Sequence, residues 1–121
     1  MTLTTDPPMA PHSRESEEAL IGAVLINPDA YLEVQALVSA EDFYIHRHRW
    51  IWEAFGELHD RRSPVDFLTV TEALERRGLL EEVGGPAYLT ALINAVPTSL
   101  HATAYARLVA EHAVRRRMLE A

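Results

Sequence analysis

The chain has 121 residues, 48% of them hydrophobic and 24% charged, which is the composition of a single globular domain rather than of a disordered chain. Its formal net charge of −7 argues against a domain whose main task is to grip a nucleic-acid backbone. Cysteine is absent and all 11 basic residues are arginine, which excludes disulfides, thiol catalysis, a Walker A phosphate loop and a lysine Schiff base.

A proline-rich leader and two helices are predicted at the N-terminal end. Residues 1–12 predict a disordered leader, and they carry neither the charged start nor the apolar run of a signal peptide. Ser13 predicts the N-cap of the first helix, which Pro28 brings to an end. Asp29 predicts the cap of a short second helix that continues towards Val38. With no long apolar run, we expect a cytoplasmic protein without a membrane segment.

The third and fourth helices are predicted to supply the centre of the core. The third, roughly His46 to Arg61, carries large aromatic residues. We expect Trp50 and Phe55 to anchor its packing, because aromatic rings bury the most area per residue. The fourth helix is predicted between Asp66, which is typical of an N-cap, and Gly78, which is typical of the position just past a helix.

A fifth helix and a long last helix complete the prediction. Gly84, Gly85 and Pro86 predict the start of the fifth helix, and Pro97 ends it. The last helix, residues 99–121, is apolar on one side and on much of the other. The first side comprises Leu100, Ala104, Tyr105, Leu108, Val109, Ala113, Met118 and Leu119, and the second comprises Ala102, Ala106, Ala110 and Val114. A helix with two apolar sides normally has two neighbours, so we expect it to contact more than its own head.

Six helices with short connections and no alternating strand pattern predict an all-α fold, a compact bundle with a long C-terminal helix. Residues 1–12 are expected to form the leader, residues 13–98 a globular helical head, and residues 99–121 the long helix. Because no C-cap signal follows Leu119, we expect the long helix to lead into further structure.

No catalytic, cofactor-binding or metal-binding site is predicted. The closest pair of histidines, His46 and His48, is spaced two residues apart and would diverge on a helix. Carboxylate pairs such as Glu17 with Glu18 are adjacent, so they do not converge either. We expect these acids to solvate the surface or to favour helix starts rather than to transfer protons.

A series of short motifs runs in order from about Pro11 to the end of the chain. They are Pro11-His12-Ser13 with Glu15, Glu17 and the apolar residues 19–25; Glu41-Asp42-Phe43-Tyr44 with His48 and Ile51; Pro64-Val65-Asp66 with Thr69 and Glu72-Ala73-Leu74; residues 80–85; Ala87-Tyr88-Leu89; Val96-Pro97-Thr98; and Tyr105-Ala106-Arg107. Together they resemble the N-terminal domain of the bacterial replicative DNA helicase of the DnaB type. The resemblance is specific because several separate motifs occur in the right order.

The resemblance implies that the whole protein continues through a helical hairpin and a linker into a RecA-like ATPase domain. In that family six subunits form a ring that unwinds DNA, and the N-terminal domains form a collar, a trimer of dimers, to which primase docks. It thus implies three partners, namely further copies of the chain, primase and, through the parent ring, DNA. ATP and Mg²⁺ are expected only in the ATPase domain. This chain is expected to be non-catalytic, with its last helix as the first arm of a truncated hairpin.

Six residues are candidates for these contacts. For primase, the resemblance implies Glu15, Tyr88 and Tyr105. For self-association, the spare apolar side of the last helix favours Leu108, Met118 and Leu119.

Two other functions stay open at this point. The helicase-binding domain of primase is a related all-α fold, but it should lack the ordered motifs found from Pro11 to Thr98. A small helical nucleic-acid-binding domain is supported only by the basic run at residues 46–50. The second basic run, residues 115–117, would ring a helix instead of forming one patch.

Overall fold

The computed structural model describes residues 13–120, and within that range the fold is all-α, as the sequence predicts. Seven α-helices and two 3-10 turns make up this part of the chain, which contains no strand. The α-helices are α1 (Arg14–Ile26), α2 (Ala30–Val34), α3 (His46–Asp60), α4 (Phe67–Arg76), α5 (Leu80–Val83), α6 (Gly85–Ala95) and α7 (Ala102–Glu120), and the 3-10 turns are Ala40–Asp42 and Ser99–His101. The predicted leader, residues 1–12, lies outside the described residues.

Local capping chemistry sets several of the helix ends. The Ser13 side chain accepts a hydrogen bond from the first turn of α1 and caps it, as predicted. Asp66 caps α4 by accepting from the backbone N–H of Thr69 at 2.9 Å. Helix α4 ends just before Gly78, whose φ of 72° favours glycine. Asp29 precedes α2 as predicted, but its side chain makes no capping hydrogen bond.

The segment before the predicted fifth helix contains one more helix than expected. Residues Leu80–Val83 form the single-turn helix α5, and Gly84 follows at a φ of 116°. Pro86 is the second residue of α6, not the first. The count rises from six to seven because a left-handed glycine joins two helices without an intervening loop.

Helix α1 forms the centre of the molecule. Residues 19–25 are all buried, because α3, α6 and α7 pack around this helix. Gly22 lies where α1 crosses α6, and a Cβ atom at this position would be 2.3 Å from the carbonyl oxygen of Leu92. The missing side chain of Gly22 therefore allows the two backbones to approach closely.

A cluster of aromatic rings fills the core beside α2 and α3. Trp52 lies at its centre, with ring centroids 5.1 Å from Phe43, 5.4 Å from Tyr31 and 5.3 Å from Phe55. The prediction that Phe55 anchors α3 is confirmed, since its side chain is fully buried. The prediction for Trp50 is wrong, because this ring lies about 200° around the helix from Trp52 and is only partly buried.

Helix α7 packs on the head through a narrow face of small residues, comprising Ala102, Ala106, Val109 and Ala113. Alanine at three of these positions permits close approach to α1 and α2. Leu100 of the predicted stripe lies in the 3-10 turn before α7 and is exposed. The large apolar residues Leu108, Val114, Met118 and Leu119 are exposed as well. The prediction that the long helix is apolar beyond its docked face is therefore confirmed.

Candidate docking and assembly surfaces

A chain of hydrogen bonds connects three helices beneath one face of the head. Glu17 of α1 and His48 of α3 are buried, and Nδ1 of His48 lies 2.7 Å from Oε1 of Glu17. The other ring nitrogen of His48, Nε2, lies 2.6 Å from the hydroxyl oxygen of Tyr88 on α6. The backbone N–H groups of Tyr44 and Ile45 also donate to the Glu17 carboxylate, at 2.7 and 3.3 Å. Tyr88 is thus held from its inner side by the core.

Of the two roles expected for Glu17, solvation of the surface is wrong, whereas its place in the first turn of α1 agrees with a role at a helix start. Its carboxylate is buried because two backbone N–H groups and His48 take the place of its hydrating water. Its neighbour Glu18 is half-buried. No local pattern could predict this arrangement, because His48 is 31 positions from Glu17 and 40 positions from Tyr88.

The outer side of Tyr88 is covered by Arg47. The guanidinium carbon of Arg47 lies 3.8 Å from the centroid of the Tyr88 ring, a cation–π contact. Burial raises the pKa of the Tyr88 hydroxyl, and the opposing effect of Arg47 does not cancel this rise. The phenol therefore stays neutral, and Tyr88 with Arg47 forms one half-buried patch on the head.

Two of the three predicted primase contacts line one cavity. Glu15 and Tyr105 lie on its wall together with Leu108, one of the predicted self-association residues. The cavity, of about 310 Å³, lies between α1 and α7 and is mostly apolar. The Tyr105 hydroxyl donates to the carbonyl oxygen of Thr98 at 3.2 Å, which orients the ring. Tyr88 is not among the residues that line this cavity.

The outer face of α7 carries the other predicted self-association residues. Met118 is 71% exposed and Leu119 is 73% exposed. Met118 and Val114 border a shallow groove of about 420 Å³ that Glu111 and Arg115 flank. This face is therefore apolar at its centre and charged at its edge.

The three consecutive arginines of α7 point in different directions, as the helical spacing predicts. Arg116 is 7% exposed, and its guanidinium donates to the carbonyl oxygen of Asp42. Arg117 forms an ion pair with the carboxylate of the same residue. Arg115 instead borders the outer groove. Two of the three arginines thus fasten the far half of α7 to the head.

The basic run at residues 46–50 is largely used within the fold. Nε of Arg49 donates to the carbonyl oxygen of Phe43 at 2.6 Å, and Arg47 covers Tyr88. This run therefore forms no open basic patch, and the geometry does not favour nucleic-acid binding. Across residues 13–120, no group of three or more acidic or histidine side chains is arranged to hold a metal ion. No helix in the same range is long and apolar enough to cross a bilayer.

Comparison with known proteins places this helical head in a class of helicase domains. Residues 9–111 match the model of the DnaB-like helicase N terminal domain, so the chain belongs to this family. The replicative DNA helicase DnaB of Geobacillus stearothermophilus is 42% identical over 109 residues, which are 90% of this chain and 24% of that protein. The replicative DNA helicase DnaC of Bacillus subtilis strain 168 is 40% identical over 111 residues, 92% of this chain and 24% of its own length.

A solved structure agrees with these relatives. The crystal structure of the N-terminal domain of DnaB helicase from Mycobacterium tuberculosis is 38% identical and superposes with a TM-score of 0.90. The match covers 93% of this chain and 81% of that chain. The all-α fold is therefore the fold of a helicase N-terminal domain, although the chain spans only about a quarter of the length of the full helicases.

Proposed function

We propose that this chain is the assembly and primase-docking domain of a hexameric replicative DNA helicase that unwinds duplex DNA at the replication fork. The proposal rests on the family match over residues 9–111, supported by the fold. ATP and Mg²⁺ act in a domain of the parent outside this chain, and the chain itself is non-catalytic. The parent works in the bacterial cytoplasm, where its ring encircles DNA.

The assembly part of the proposal assigns the outer face of α7 to contacts between copies of the chain. Met118 and Leu119 are exposed on this face, and Leu108 is exposed at its border with the cavity between α1 and α7. A contiguous apolar patch that stays exposed marks an interaction site, unlike single apolar side chains scattered over a surface. The far half of α7 is fastened by Arg116 and Arg117, so these apolar residues are presented on a fixed support. Copies pair as dimers, and three dimers form the collar.

The docking part assigns primase to the head. Glu15 is exposed at the cavity between α1 and α7, where its carboxylate can accept hydrogen bonds from a partner. Tyr105 offers a ring on the wall of the same cavity, and Tyr88 offers a second anchor on a separate patch. Tyrosine is enriched among the residues that dominate binding energy at interfaces.

The docking part is tested by calorimetric titration of the C-terminal domain of primase from the same organism into this chain. The variants Glu15→Gln and Tyr105→Ala should each weaken binding by about tenfold, as expected for one lost anchor. Glu33→Gln, which removes an exposed acid on α2, is the matched control and should bind as the wild type does. Equal affinities for Glu15→Gln, Tyr105→Ala and the control would contradict this placement of the docking site.

The assembly part is tested by sedimentation at several concentrations. The wild-type chain should show concentration-dependent association, and the double variant Met118→Ser with Leu119→Ser should remain monomeric. Leu68→Ser is the matched control, because Leu68 is 74% exposed on α4, away from α7. A wild-type chain that stays strictly monomeric at high concentration would refute self-association of the domain on its own.

A further inference from the structure

The hydroxyl of Tyr88 is already engaged by the core. Its oxygen lies 2.6 Å from Nε2 of His48, and Arg47 covers one face of the ring. A partner that approaches Tyr88 therefore meets a phenol with only part of its hydrogen-bonding capacity left. Which part is left depends on the direction of the hydrogen bond to His48.

Glu17 determines that direction. Its Oε2 accepts from the Tyr44 N–H, and its Oε1 accepts from the Ile45 N–H and faces Nδ1 of His48. A backbone N–H can only donate, so both carboxylate oxygens act as acceptors and Nδ1 of His48 supplies the remaining proton. In a neutral imidazole Nε2 then carries a lone pair, and the Tyr88 hydroxyl donates to it.

We infer that Glu17 and His48 are positioning residues for Tyr88 and set the hydrogen-bond polarity of its hydroxyl. The hydroxyl hydrogen points inward, and the oxygen, on which Arg47 also acts as a hydrogen-bond donor, offers only acceptor capacity to a partner. The use of Tyr88 in docking rests on the proposed function, whereas its hydrogen bond to His48 does not.

The groups around the hydrogen bonds that join Glu17, His48 and Tyr88 define the chemistry of a matching partner. The guanidinium of Arg47 lies against the Tyr88 ring, and Arg14 and Glu18 of α1 act on its hydroxyl through their charges. His48 itself faces the Glu17 carboxylate and the ring of Phe43. Tyr88 is therefore matched by a partner that brings an N–H or O–H donor.

The first test is nitrogen NMR of the free domain with labelled histidine. His48 should carry its proton on Nδ1, and Tyr88→Phe should shift the Nε2 resonance while the Nδ1 proton stays in place. Tyr105→Phe is the matched control, because the Tyr105 hydroxyl bonds to Thr98 and not to a histidine. A His48 proton on Nε2 at neutral pH, or an Nε2 signal that ignores Tyr88→Phe, would overturn the inference.

The second test is titration of the primase C-terminal domain into the wild-type chain and the variant His48→Asn. His48→Asn keeps a donor near the Nδ1 position for Glu17 but removes the bond to Tyr88. It should weaken binding by about tenfold, the equivalent of one hydrogen bond. A histidine that serves only the fold would leave the affinity of the folded variant at the wild-type value.

The outcomes separate the inference from the proposed function. Wild-type affinity of a folded His48→Asn variant would overturn the positioning role while primase docking stands. If His48→Asn fails to fold, the response of the His48 Nε2 resonance to Tyr88→Phe decides. If the wild type binds no primase, the proposed function fails, and the NMR result alone decides whether His48 holds Tyr88.

Discussion

Replacing Gly22 by alanine perturbs the close backbone approach between α1 and α6. The added Cβ would lie 2.3 Å from the carbonyl oxygen of Leu92 and 3.3 Å from Cβ of Val96. Ordinary contact begins near 3.4 Å, so the two helices must separate by about 1 Å. The nearest atom belongs to the backbone of α6 and cannot rotate away as the end of a flexible side chain could.

The magnitude follows from this geometry. Over-packing a core costs about 1 to 3 kcal/mol, and a clash with backbone belongs at the upper end of that range. Alanine also favours a helix over glycine by about 0.5 to 1 kcal/mol. The net loss for Gly22→Ala is therefore about 2 kcal/mol. This is a large fraction of the about 5 to 15 kcal/mol that stabilises a typical domain.

Urea unfolding followed by circular dichroism measures this loss. Gly56→Ala in α3 is the matched control, because its Cβ would lie at an ordinary distance of 3.5 Å from the Tyr31 hydroxyl. The control should gain about 0.5 to 1 kcal/mol from helix propensity alone. A Gly22→Ala protein at least as stable as the wild type would refute the close approach of α1 and α6.

Three further predictions concern the core, the surface charges and the fastening of α7. Truncating the fully buried Leu74 to alanine should cost about 2 to 5 kcal/mol in urea unfolding, and a loss below about 0.5 kcal/mol would contradict its burial. Desolvation raises the pKa of Glu57, but hydrogen bonds and charges of neighbouring arginines, Arg76 foremost, outweigh it and lower the pKa overall. The ion pairs of Glu57 thus stabilise the fold at pH values above the ordinary carboxylate pKa, and this effect is lost as the pH falls through the lowered pKa. The variant Glu57→Gln should therefore reduce Tm at neutral pH but not in acid. An equal reduction of Tm at both pH values would contradict this. Arg116→Ala should lower the free energy of unfolding by about 1.5 to 3 kcal/mol, because it removes the buried hydrogen bond to the Asp42 carbonyl oxygen. Arg115→Ala should lower it by less than about 0.5 kcal/mol. Equal losses for the two variants would rule out the buried contact between Arg116 and the head.

The sequence predicts the helix ends well where a single residue acts on its own neighbours. Ser13 and Asp66 cap their helices, and Gly78 follows α4 with positive φ, because these preferences depend only on local backbone chemistry. Trp50 shows where local rules stop. Trp50 and Trp52 both satisfy the rule that large aromatic rings bury the most area per residue. Only the packing of α3 against the head decides that Trp52 is the buried one.

The candidate site depends on long-range contacts, which spacing within one helix does not contain. Glu17 and His48 both occur in the motifs that indicated the family, but nothing in the sequence pairs them across 31 positions. The same holds for Asp42, which binds two arginines more than 70 positions away on α7. In contrast, the exposed apolar face of α7 could be predicted, because a helix that is apolar on two sides cannot bury both against one head.

The central claim, that this chain is a docking domain which works without the ATPase part of its parent, is tested most directly by one titration. The C-terminal domain of primase from the same organism is titrated into the wild-type chain and the heat of binding is recorded. The account predicts saturable binding with a defined stoichiometry. Absence of binding at the highest attainable concentrations, with the domain folded by circular dichroism, would contradict it.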